Sequence, residues 1–66
     1  MHKTFTARNK DGKTYRWQFW RDARPPAYWM LKDHEGHIRT LERTWIDSVP
    51  HIHAILESYG MHADIS

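Results

Sequence analysis

The chain has 66 residues, no cysteine, a net charge of +2, 39% apolar residues and 14% aromatic residues. That length holds one domain, the missing cysteine excludes stapling by disulfide or thiolate, and the apolar and aromatic content excludes a disordered tail. No apolar run reaches the length of a membrane span and the N-terminus carries no signal-peptide core, so a cytoplasmic protein with no membrane partner is expected.

Lys3 to Arg8 alternates, with Phe5 and Ala7 on one side and Thr4, Thr6 and Arg8 on the other. This predicts a strand over 3–8. Asn9-Lys10-Asp11-Gly12-Lys13 contains Asp-Gly, a strong hairpin signal. A partner strand follows over 14–20, with Tyr15, Trp17 and Phe19 on one face and Arg16, Gln18 and Trp20 on the other. Arg21 to Pro26 breaks the pattern, because Pro25 and Pro26 lack ladder donors. A third strand is predicted over 27–32. Its inward face is open between Tyr28 with Met30 and Trp29 with Leu31. His34-Glu35-Gly36-His37 is a second tight turn, leading to a fourth strand over 38–43.

Ile46, Val49, Ile52, Ile55, Leu56 and Tyr59 form a stripe of helical period. The predicted helix spans 48–59, capped by Asp47 or Ser48, so that Pro50 falls in the first turn where no donor is needed. Gly60 suits the position after the helix end, and 61–66 reads as a frayed tail. The expected fold class is α+β: two hairpins form a small antiparallel four-stranded sheet (ββββα), packed on one face by the C-terminal helix. Residues 1–60 are the expected domain.

Tyr15, Trp17 and Phe19, with Phe5 and Ala7, are the natural inward set. Arg8, Arg16, Gln18 and Trp20 then share the second face, joined by Tyr28 or Trp29, with Arg21 and Arg24 in the adjoining connector. Tryptophan, tyrosine and arginine are the usual anchors of protein interfaces. The expected function is a small protein-binding regulator or inhibitor that uses this aromatic-basic face. The alternative partner is nucleic acid, with bases stacked on the rings, phosphates met by arginine and lysine, or base edges read in the DNA major groove. An exposed tryptophan can also close a homodimer. Charge is uneven along the chain, net +5 over residues 1–33 and −3 over 34–66, which predicts a dipolar surface.

Six histidines invite a metal reading. His34, His37 and Glu35 could supply ligands, whereas His51 and His53 diverge on a helix. Lacking HExxH and cysteine, the chain is expected to hold no metal and no cofactor. It shows no nucleophile motif, phosphate loop or dinucleotide fingerprint, so it is not expected to be an enzyme. Ser48, His51 and Asp47 read as helix-start chemistry. His34, His37 and Arg39 are the only candidates for a nuclease centre.

Overall fold

Two turns of the same construction set the sheet. In Asn9-Lys10-Asp11-Gly12-Lys13, the Asn9 N–H donates to the Lys13 carbonyl at 2.9 Å and the Gly12 N–H to the Asn9 carbonyl at 3.0 Å. The Asn9 side-chain oxygen accepts from the Asp11 and Lys13 N–H groups, at 3.0 and 2.9 Å. Asp33-His34-Glu35-Gly36-His37 repeats every bond. Asp33 pairs with His37 and Gly36 at 3.0 and 3.1 Å, and its Oδ1 accepts from the Glu35 and His37 N–H groups at 2.9 Å each. Gly12 and Gly36 take φ of +81° and +89°. This is a tight turn closed by a left-handed glycine, a common three-residue hairpin loop.

The computed structural model describes residues 2–66. Its elements are β1 (Lys3–Asn9), β2 (Thr14–Arg21), β3 (Trp29–Lys32), β4 (Ile38–Thr40), α1 (Trp45–Ser58) and β5 (Met61–His62). The sheet order is β4-β3-β2-β1-β5, with every neighbouring pair antiparallel. The α+β class and the antiparallel sheet with one helix agree with the sequence expectation. The strand count differs, because Met61 and His62 pair with Asn9 and Arg8 at the β1 edge. The two hairpins are joined by β2–β3 pairing, from Gln18 opposite Lys32 to Arg21 opposite Trp29. Between them, the connector is closed by Asp22 N–H donating to the Tyr28 carbonyl at 2.9 Å, and it contains a cis Pro25–Pro26 bond.

The core lies between α1 and one sheet face. Ala7, Trp17, Phe19, Leu31, Leu41, Ile52 and Leu56 are buried there. The third strand is thereby resolved: Leu31 is buried, and Trp29 packs on the same side against Trp45 at a ring-centroid distance of 4.9 Å. Trp45 also stacks on Phe19 at 4.8 Å, while Tyr59 meets Trp17 edge-on at 5.5 Å. Offset and edge-on contacts of this kind stabilise beyond their buried area.

The helix starts three residues earlier than the sequence suggests. Thr44 is the cap, its Oγ1 accepting from the Asp47 N–H at 3.2 Å. Pro50 therefore sits inside the helix, and the Ile46 carbonyl has no N–H four residues on. Pro50 is exposed and Ile46 is 80% exposed, so the missing bond lies on the solvent side of the helix. Buried Ser48 supports the early start. Its hydroxyl donates to the Thr44 carbonyl at 2.7 Å and accepts from the Glu42 N–H at 3.2 Å. Trp45 and Ser48, rather than Ile46, thus complete the inward stripe.

The end of the helix follows expectation, with Gly60 at φ +70° donating to the Glu57 carbonyl at 2.9 Å. The segment after it does not fray. The Trp45 indole donates to the Ser66 carbonyl at 3.2 Å, and a His53 ring nitrogen lies 2.8 Å from the Ile65 carbonyl. No helix is long and apolar enough to cross a membrane.

Candidate functional site

Strand alternation sends every second residue away from α1, and the register arranges these residues in rows across the open face. Trp20, Met30 and Thr40 form the first row. Thr4, Gln18, Lys32 and Ile38 form the second. Thr6 pairs with Arg16 in the third, and Thr14, Arg8 and His62 make the fourth. Arg16, Gln18 and Lys32 line one shallow recess, bordered by the Asp33–Gly36 turn. Among the described residues, none of the strand positions on this face is acidic, and no carboxylate lies within ion-pair distance of Arg8, Arg16 or Lys32. The helix on the other side contains Asp47 and Glu57 and no lysine or arginine. The helix face also carries cations, because Lys3, Arg21 and Arg39 alternate toward it.

Of the residues expected at the site, the structure brings Arg8, Arg16, Gln18 and Trp20 together on this face. Trp20 is half-buried and lies against His2 in a tilted contact, with ring centroids 4.4 Å apart. Tyr28 lies at the margin, lining a recess with Pro25, Pro26, Met30 and Thr40, and Arg24 borders the same recess. Arg21 shares the alternation of Phe19 and donates to the Ala27 carbonyl at 3.3 Å. Trp29 belongs to the opposite face, with Trp45. The sequence reading had left out Lys32, Met30 and Ile38, because the phase of the third strand was open. Ile38 is 58% exposed beside Lys32.

A second cluster carries the perturbed titratable groups. The Asp33 side chain is shut off from solvent, and its Oδ2 accepts from the Tyr59 hydroxyl at 2.7 Å. Burial pushes the Asp33 carboxyl up, but the Tyr59 hydroxyl and the backbone N–H groups of His37 and Glu35 outweigh it, so it sits below the ordinary aspartate value. Tyr59 is pushed up, chiefly by its hydrogen bond to Asp33. Arg39 donates to the Tyr59 oxygen at 2.9 Å, and that bond raises its pKa. This chain of bonds ties the second turn to the end of α1. Ligand atoms of Asp33, Glu35 and His37 lie within 4.8 Å of one another. Both Asp33 oxygens are already engaged, however, and the Arg39 guanidinium is 3.6 Å from Oδ2, where it opposes a cation. His34 points away from the trio; its ring packs between Tyr15, Trp17 and Tyr59, at 4.8, 5.7 and 5.1 Å. The grouping of His34, His37 and Arg39 is thus divided between an aromatic cluster and a turn clamp.

No family model, curated protein or solved structure matches the chain. The functional reading therefore rests on the geometry of the open face.

Proposed function

We propose that this domain is a non-enzymatic binding module that takes nucleic acid on the open face of its sheet. The observation that carries this reading is the composition of the face: Arg8, Arg16 and Lys32 stand among threonines and Gln18, with no acidic strand position beside them. An unpaired cation is the group that gains most from a phosphate, since binding releases the counterions condensed on the polyanion.

The test is fluorescence anisotropy with labelled oligonucleotides over a range of salt. Affinity should fall steeply as salt rises. Arg8→Ala and Lys32→Ala should each lower the logarithmic salt slope by about 1, the change expected for one lost phosphate contact. Both variants should melt like the parent, because these side chains support no core contact. Absent binding, or binding indifferent to salt, rejects the proposal.

A protein-binding regulator remains the second reading, favoured by the apolar corner that Trp20, Met30 and Ile38 form on the same face. If a second copy covers that corner, sedimentation should show a dimer that Ile38→Glu dissociates without unfolding.

A further inference from the structure

Building on the nucleic-acid reading, we infer that the ligand is duplex DNA, entered through its major groove by β2 and the strands beside it. β2 is the middle strand, with β1 on one side and β3 on the other. Neighbouring strands lie about 4.8 Å apart, so the axes of β1 and β3 are about 10 Å apart, against a groove about 12 Å wide, and beyond them β4 and β5 are short edge strands of three and two residues. The middle strand of this surface carries Arg16 and Gln18, two residues apart on one face. Arginine grips the O6 and N7 edge of guanine and glutamine the N6 and N7 edge of adenine, each with two hydrogen bonds.

The flanks also suit a groove. On the β1 side, Thr6 stands opposite Arg16 and Thr4 opposite Gln18. These short side chains let the β2 residues protrude, and their methyl groups match thymine methyls. On the β3 side, Lys32 stands opposite Gln18, and Arg8 lies one row beyond Thr6. These two cations flank the reading pair on opposite strands, where the phosphate walls of the groove would pass. The A-form groove of double-stranded RNA is too deep and narrow for such an entry. A single strand would need successive rings to stack on. The strands of this face offer one large ring, Trp20, at its end and already in contact with His2.

The test uses the full chain and three labelled probes of one mixed sequence: a DNA duplex of about two helical turns, one of its strands, and the matching RNA duplex. The DNA duplex should bind at least about tenfold tighter than either of the others, as expected if groove geometry decides. Methyl green, which occupies the major groove, should compete, and netropsin, which occupies the minor groove, should not. On the tightest duplex selected from a randomised pool, Arg16→Ala should weaken binding about 10- to 100-fold, and Arg16→Lys should not restore it, since lysine has no two-pronged fork. An equal or stronger preference for the single strand, or competition by netropsin alone, overturns the duplex inference and leaves the nucleic-acid reading standing. No binding to any probe overturns both.

Discussion

Replacing Asp33 by asparagine keeps the shape of the second turn and removes one buried charge. Three hydrogen bonds now end on that carboxylate: two from backbone N–H groups at 2.9 Å and one from the Tyr59 hydroxyl at 2.7 Å. A bond to a charged acceptor is roughly twice as strong as a neutral one worth about 1 kcal/mol, so the two backbone bonds weaken by about 2 kcal/mol, and the Tyr59 bond, now facing an amide NH2 that cannot accept it, loses about 2 kcal/mol more. Sparing the desolvation of a buried carboxylate returns about 2 kcal/mol, which leaves a net loss of about 2 kcal/mol at neutral pH. In a domain of this size that is a fall in Tm of about 10 °C. The pH dependence is the sharper test. Because the folded pKa of Asp33 is lowered, its stabilisation is complete above the unfolded value of about 3.9 and is lost as pH falls through the lower folded value. The variant has no such group, so the gap between D33N and the parent should shrink as pH falls below the unfolded value and close once Asp33 is protonated in the folded state. Thermal melts followed by circular dichroism at neutral and acid pH measure both. A gap under about 0.5 kcal/mol at pH 7, or one of equal size at both pH values, would refute the clamp.

Three further substitutions probe the backbone. Ser48→Ala should cost about 1–3 kcal/mol in urea unfolding, since it leaves the part-buried Glu42 N–H without its acceptor. Gly60→Ala should cost about 1 kcal/mol purely through its left-handed backbone, because nothing lies within 4 Å of an added Cβ. Ala27, at φ 59°, should behave in the opposite sense: Ala27→Gly should leave Tm unchanged or raise it, by about 0.5 kcal/mol of stability, whereas glycine elsewhere in a strand or helix lowers it.

The first hairpin was legible because alternation and Asp-Gly agree in their account of residues 3–20. The β2 part of the site followed from it, since Arg16, Gln18 and Trp20 are fixed opposite Tyr15, Trp17 and Phe19 by strand period alone. The third strand was not legible from its own residues, because both of its faces are apolar. A signal was nevertheless present in the chain. Asn9 and Asp33 open turns of the same pattern, an acceptor followed three residues later by glycine. Ala7, two residues before Asn9, faces the helix, so Leu31, two before Asp33, does as well. The helix start was misplaced because Pro50 weighed more than Thr44 in the reading. The outcome turned on support from Ser48, whose partners are the cap residue Thr44 itself and Glu42 before it. The docking of residues 61–66 depends on Trp45 and His53, contacts between segments that no local pattern encodes.

The alternation of β2 has a consequence for how such a domain can change over time. Trp17 and Phe19 hold the core, while Arg16 and Gln18, on the same strand, touch none of it. Folding and recognition are thus written in alternate letters of one segment. Substitutions at Thr4, Thr6, Arg16, Gln18 and Lys32 can accumulate at little cost to stability, each within about 0.5 kcal/mol, so one scaffold can explore many ligands. A one-residue insertion into β2 does the reverse: it turns the arginine row into the core and loses fold and face together.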